Sequence, residues 1–163
     1  MKTIYLAGGL FNAGERLHNL FLEKYLKKLG HNVVLPQREA LKFDSSAGFN
    51  LDGVKKECKE HSTDPGNIYV GSADGADADG GTAVEYGLAI GAKDEAVVYR
   101  TDIRTDTSKE IGVNAMLLLE GTAFVCYPCY FTELEQVEKY YEELANKIHC
   151  AVQSLPLRCR TSK

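Results

Sequence analysis

The stretch Ile68-Tyr-Val-Gly-Ser-Ala-Asp74-Gly-Ala-Asp77-Ala-Asp79-Gly-Gly-Thr-Ala-Val-Glu85 decides the fold of this chain. Its first six residues read as a buried strand, and beyond them Val84, Gly87, Leu88 and Gly91 recur at helical spacing. Three aspartates, three glycines and one glutamate are therefore gathered where a strand hands over to a helix. In open parallel sheets, ligands bind at that carboxyl end of the strands, in the crevice where strand order reverses.

Upstream, residues 3–7 form a first apolar strand ending in Gly8-Gly9, and Leu17, Leu20, Phe21 and Leu29 then mark a helical face closed by Gly30. Residues 32–35 are a second strand stopped by Pro36, residues 37–48 a polar loop, 51–60 a weaker helix and 61–67 a turn-rich break. Downstream, residues 96–100 and 122–127 are the fourth and fifth strands, separated by a polar connection over 101–112. A last helix carries Leu134, Val137, Tyr141, Leu144 and Ile148 along one core-facing stripe. Parallel strands need crossover connections, so the alternation predicts an α/β, flavodoxin-like, doubly wound sandwich with a five-stranded parallel sheet. Residues 1–152 form a single domain in this reading, with a flexible tail over 153–163.

Composition narrows the partners. At 163 residues, 44% hydrophobic and 26% charged, the chain has the size of one globular domain. Its net charge of −4 disfavours nucleic acid and anionic membranes, which draw a concentrated basic surface. The apolar run near Met1 is too short for a signal-peptide core, and no stretch approaches the roughly 20 apolar residues of a membrane helix. A soluble, cytoplasmic protein is expected. Five cysteines, an odd number, fit reduced thiols better than a disulfide framework. Cys126-Tyr-Pro-Cys129 has redox-pair spacing, but such pairs open a helix near the first strand, whereas this one ends a late strand.

The acidic loop admits several readings. Thr82-Ala-Val-Glu85 matches a capping box, with Thr82 as N-cap and Glu85 in the first turn, where the helix dipole holds a carboxylate ionised. A calcium loop fails by register: with Asp77, Asp79 and Gly80 at positions three, five and six, Gly75 and Tyr86 fall where carboxylates are required. No metal and no cofactor are expected. Gly8-Gly9 before a helix lacks the full dinucleotide and P-loop patterns, so close strand–helix packing explains it as well as a phosphate cradle does. A metal-free pocket rich in carboxylates is the equipment of glycosidic-bond chemistry, in which one carboxylate attacks the anomeric carbon and another group assists departure. Mutual repulsion among close carboxylates favours one of them retaining a proton.

These residues resemble the nucleoside 2-deoxyribosyltransferase family. The likeness is carried by Thr3-Ile-Tyr5-Leu-Ala-Gly8, by Asp74 through Glu85 and on to Ala89, by Tyr99-Arg-Thr-Asp102, and by Gly112-Val-Asn114-Ala-Met116. It implies that Glu85 is the nucleophile, forming a covalent deoxyribosyl intermediate, and that Tyr5 orients its carboxylate. It further implies that Asp79 binds the sugar hydroxyls, that Gln37 contacts the base, and that Asp74 and Gly8 belong with the substrate-binding residues. Asn114 would be donated across a homo-oligomer interface to hold the sugar's 5′-hydroxyl. Asp52, in Asn50-Leu-Asp-Gly-Val54, is the candidate for protonating the departing base, although aligning it takes an insertion around 61–67. The partners implied are small-molecule deoxynucleosides and free bases. Two alternatives stand beside this reading: a deoxynucleoside 5′-monophosphate N-glycosidase, and a non-catalytic nucleoside-binding module in which Glu85 serves only as a cap. A serine is usual six positions before the glutamate in the monophosphate enzymes; Asp79 stands there, and a carboxylate repels phosphate.

Overall fold

The computed structural model describes residues 2–45, 48–93, 95–104 and 112–155. Five parallel strands form the sheet: β1 (Thr3–Ala7), β2 (Asn32–Val34), β5 (Asn67–Ser72), β6 (Ala96–Arg100) and β7 (Thr122–Cys126). Between β2 and β5 the chain makes a short α2 (Pro36–Glu39), a 3-10 turn (Ala40–Phe43) and a two-residue hairpin, β3 (Asp44–Ser45) with β4 (Gly48–Phe49). The longer helices are α1 (Ala13–Lys28), α3 (Leu51–Thr63), α4 (Gly80–Lys93) and α5 (Val137–Ser154).

Sheet order is β2-β1-β5-β6-β7, with Tyr5 level with Tyr69, and Val70 with Val97. With the hairpin set aside, this is the flavodoxin-like order expected, and its switch point lies between β1 and β5. Period-two alternation divides the core. Ile4, Leu6, Val70, Val97 and Tyr99 face α1 and α5, where Leu22, Leu26, Leu144 and Ile148 are sealed from solvent. Tyr5, Ala7, Tyr69 and Val98 face the other way, onto Tyr86, Ala89 and Ile90 of α4. Both faces are covered, which is why these strands read as continuous apolar runs.

The structure shifts several expected boundaries. Residues 37–48 are not one loop, since α2, the 3-10 turn and the hairpin occupy the described part; residues 46–47 lie outside the described residues. α3 runs to Thr63, bringing His61 into the helix and leaving Pro65 as the stop. α1 opens with a capping box the periodicity did not reveal: Asn12 accepts from the Glu15 N–H at 3.0 Å, and Glu15 accepts from the Asn12 N–H at 3.3 Å. Its buried face is Asn19, Leu22, Tyr25 and Leu26, whereas Leu17 and Leu20 are exposed. Leu134 precedes α5 on a 3-10 turn and is 84% exposed, outside the stripe it was expected to join. On α4 the buried residues are Thr82, Tyr86, Ala89 and Ile90, not the Val84 row. The expected tail begins late: Gln153 and Ser154 close α5 and Leu155 is buried, while residues 156–163 lie outside the described residues. So do residues 105–111 of the connection expected over 101–112. Among the described helices, none is long and apolar enough to cross a membrane.

Leu144→Ala should cost about 2–5 kcal/mol in denaturant unfolding, because it opens a cavity in a close-packed seam. Leu134→Ala should stay within about 0.5 kcal/mol of the parent; equal effects would place the two leucines in one stripe after all.

Candidate active site

The site forms where β1 and β5 end. Asp74 follows β5 and accepts from the Thr101 N–H (2.6 Å), the Thr101 hydroxyl (2.6 Å) and the Asp102 N–H (2.8 Å), fastening the acidic loop to the end of β6. Arg100, buried, donates to the Ala73 carbonyl and, at 3.2 Å, to that of Gly75, while Asp102 accepts from the Gly75 N–H at 3.0 Å. Asp74 thus has its carboxylate committed to backbone and hydroxyl donors of the loop it anchors.

From this anchor the loop reaches Asp79, which caps α4: its Oδ2 accepts from the Thr82 N–H at 2.9 Å and from the Thr82 hydroxyl at 3.1 Å. The capping box expected with Thr82 as N-cap is therefore not formed. An aspartate three residues earlier takes the free N–H, α4 starts at Gly80, and Glu85 lies in the second turn rather than the first. Glu85 is released from capping and points at the sheet, where the Tyr5 hydroxyl donates to its Oε1 at 2.9 Å. Behind it, Gly71 leaves room for the Tyr69 ring to lie along β5, and the Tyr69 hydroxyl donates to the Thr82 carbonyl at 2.8 Å.

Glu85 faces a cavity of about 290 Å³. Its walls are apolar: Leu10 and Phe11 after β1, Phe43 and Phe49 from the β2–α3 segment, and Leu51 and Val54 from α3. Phe43 lies flat on α3 at Gly53, where a Cβ would come within 2.5 Å of the ring. Glu39, Glu57, Cys58, His61, Asp79 and Glu85 also line it, together with Tyr5, Thr82 and Gly8. A second cavity of about 460 Å³ opens beside it, lined by Glu15, His18, Asn19, Asp74 and Asp77 and sharing Asp79. His18 there is held between the Tyr141 hydroxyl (2.9 Å) and the Tyr99 hydroxyl (3.1 Å), and burial lowers its pKa.

Burial raises the Glu85 carboxyl above the ordinary glutamate value. Donation from Tyr5 and from the Cys58 thiol opposes this by favouring the ionised form, while the Asp79 charge adds to the rise. Tyr5 is pushed far above the usual phenol range, by burial first and by the Glu85 charge second, so it remains a donor. Burial is also the main cause that takes the Cys58 thiol up to about 11.

Of the residues singled out from sequence, Glu85, Tyr5, Asp79 and Gly8 meet at this cavity. Asp52 does not: its side chain is 93% exposed and paired with Lys55 at 3.2 Å, because it sits on the outward face of the first turn of α3. Gln37 is buried and lines neither cavity; its Oε1 accepts from Asn19 at 3.1 Å and its Nε2 donates to the Arg16 carbonyl at 3.2 Å. Asn114 is exposed, lines neither cavity, and accepts from the Met116 N–H at 3.0 Å. Glu57, Cys58 and His61 were missed. The spacing of Leu51, Val54, Cys58 and His61 along one helical face was the available signal, hidden by ending the helix before His61. Among the described residues, Glu39, Glu57 and His61 are the group whose donor atoms could hold a metal ion, lying within 4.8 Å of one another. The Lys42 ammonium, against Glu39 and 3.8 Å from Glu57, already supplies a cation beside both carboxylates.

A family model described as nucleoside 2-deoxyribosyltransferase matches residues 4–116. A conserved protein from Enterococcus faecalis V583 superposes with a TM-score of 0.67 at 23% identity, covering 92% of this chain and 98% of the other. A 2-deoxyribosyltransferase from the psychrotolerant bacterium Bacillus psychrosaccharolyticus does so with a TM-score of 0.54 at 22% identity, covering 88% and 95%. At these identities the two structures bear on the fold alone. A search of curated proteins gave no match.

A carboxyl whose folded pKa lies above its unfolded one contributes stability that is present at low pH and lost as pH rises through the folded value. Glu85→Gln keeps the acceptor for Tyr5 without the buried charge. Its thermal midpoint should therefore exceed the parent's by a few degrees near pH 8, with the gap closing toward pH 4; a gap independent of pH would contradict the raised Glu85.

Proposed function

The chain belongs to the nucleoside 2-deoxyribosyltransferase family, and from that premise we propose that it cleaves the N-glycosidic bond of 2′-deoxyribonucleosides and passes the sugar to an acceptor purine or pyrimidine. The observation that carries this reading is the Glu85 carboxylate, half-buried against a cavity with apolar walls and accepting from the Tyr5 hydroxyl at 2.9 Å.

In this reading a Glu85 oxygen attacks C1′ from one face as the bond to the base breaks, through an oxocarbenium-like transition state. The product is a deoxyribosyl ester of Glu85. An incoming base attacks the same carbon from the opposite face, and the two inversions retain the β configuration. A carboxylate stripped of part of its water by burial gives up less solvation on bonding to carbon, and donation from Tyr5 and Cys58 favours its ionised form. A 2-deoxy sugar suits the path, since no 2-hydroxyl withdraws electrons from the developing cation. In this reading Asp79, which lines both cavities, accepts from a sugar hydroxyl while capping α4. Asn114, exposed beyond the cavity, is available to a neighbouring copy.

The monophosphate alternative is less favoured, because the residues lining the cavity include four carboxylates and neither lysine nor arginine. Incubation with 2′-deoxyinosine and free adenine should yield 2′-deoxyadenosine. Glu85→Ala should slow that exchange about a thousandfold or more while the protein stays folded; exchange that survives the change overturns the nucleophile, and base release from monophosphates alone replaces the transferase reading.

The acid limb of kcat/KM should have its midpoint above the ordinary glutamate value, since the free enzyme must carry Glu85 ionised. Tyr5→Phe removes a donor that favours the ionised form and should move that midpoint further up. A midpoint that stays in place, or moves down, would separate the limb from Glu85.

A further inference from the structure

The cavity before Glu85 has an outer neighbour, a groove of about 470 Å³ lined in part by Lys56 and Glu60 of α3. Phe43, Glu57 and His61 line both spaces. Glu57 and His61 stand one turn apart on α3, with His61 Nε2 3.6 Å from Glu57 Oε1, so the helix itself sets their places. Phe43 alone of the three comes from another element, the 3-10 turn after α2. The wall between cavity and groove is therefore closed by one ring laid against one helix. A clasp holds that ring. The Phe43 carbonyl accepts from the Asn50 N–H at 2.9 Å, and Asn50 caps α3, its Oδ1 accepting from the Gly53 N–H at 2.9 Å. The ring then covers Gly53, where a Cβ would stand 2.5 Å from two of its carbons and 2.9 Å from the Asn50 amide nitrogen. Carbon atoms in contact lie about 3.5–4.0 Å apart, so any side chain at position 53 would displace the ring. Gly53 has no positive φ, and space rather than backbone conformation is what its missing Cβ supplies.

Resting on the transferase reading, we propose that Phe43 sets the size of the base admitted, with Gly53 as the positioning residue that seats its ring. The site takes adenine and excludes purines that carry a bulky group at C6. A purine joined to the sugar through N9 has C6 on the edge remote from that bond. With the sugar held at Glu85, Tyr5 and Asp79, the C6 edge is directed away from the sheet, toward the β2–α3 segment to which Phe43 belongs. A hydrogen or an amino group ends before the ring. A larger substituent meets it, and because Phe43 is clasped to the start of α3, the ring does not yield without giving up its seat on Gly53. The groove beyond has the volume to house such a substituent, so the exclusion depends on the ring and not on the bulk of the protein behind it.

The test measures acceptor kcat/KM for adenine and for N6-benzyladenine, with 2′-deoxyinosine as the sugar donor. The parent should favour adenine by about thirtyfold or more. Phe43→Ala should bring the two acceptors within about threefold of each other, and Phe43→Leu, which keeps an apolar side chain against α3, should fall between. A merely structural role for Phe43 would lower both acceptors together and leave their ratio where it was. Gly53→Ala should move the ratio by about threefold or more when Phe43 is present and leave it unchanged in the Phe43→Ala background, since its effect passes through the ring. A parent that uses both acceptors equally, a ratio unmoved in both Phe43 variants, or a Gly53→Ala effect of the same size in either background would overturn the assignment while leaving the transferase reading intact. A parent inert toward adenine as well would defeat that reading, and this inference with it.

Discussion

One hydrogen bond, from the Tyr5 hydroxyl to the Glu85 carboxylate at 2.9 Å, ties the first strand to the helix that follows the acidic loop. Eighty residues of chain must be placed correctly for it to form. β1 must pair with β5 in the register that sets Tyr5 level with Tyr69, so that both rings project to the α4 face. Asp74 and Arg100 must fasten the end of β5 to that of β6, and Asp79 must start α4 at Gly80. If α4 began at Thr82 as a cap, its own first turn would claim the Glu85 side chain. The aspartates that look like a ligand cluster in the sequence thus act first as architecture: one anchors the loop and one sets the phase of the helix.

That distinction marks how far the sequence could be read. The five strands and their order were legible because both faces of the sheet are buried, leaving uninterrupted apolar runs. The meeting of Tyr5 with Glu85 was legible through the resemblance, and the structure shows the hydrogen bond between them. What escaped depended on helix phase, which short patterns fix poorly. Two residues able to cap α4 stand three positions apart, and only the bond from the Thr82 N–H to Asp79 shows which prevails. On α3, the turn-like composition after Glu60 concealed the last turn and with it His61, while Asp52, a carboxylate of plausible position, lies on the outward side of the same helix. Gln37 stands near the expected place in the chain, but Asn19 and the Arg16 carbonyl claim both ends of its amide, a long-range pairing that no local pattern encodes.

The cavity is electrostatically one-sided. Four carboxylates line it, while Phe11, Phe43, Phe49, Leu51 and Val54 supply low-dielectric walls. Burying a charge in such surroundings is costly, and the raised Glu85 pKa expresses that cost, with the Asp79 charge adding to it. In the proposed reaction the same field favours a ligand that becomes cationic: as the sugar ring gains oxocarbenium character, an ionised carboxylate nearby lowers its energy more than that of the neutral ground state. Destabilisation of the resting charge and stabilisation of the transition state are then two aspects of one arrangement.

In the proposed reaction the aromatic rim decides the fate of the sugar held on Glu85. Water and a free base compete for the same carbon, and water is far more abundant. A base gains by stacking and by burying its faces against Phe11, Phe43 and Phe49, contacts that water cannot make, and once seated it displaces water from the approach. Phe11 and Phe49 are 77% and 56% exposed, apolar surface that the incoming base covers in the proposed reaction. Selection for transfer over hydrolysis can thus reside in rings that touch neither the sugar nor the nucleophile, and loss of one ring should raise the share of hydrolysis more than it lowers the rate at which the first base departs.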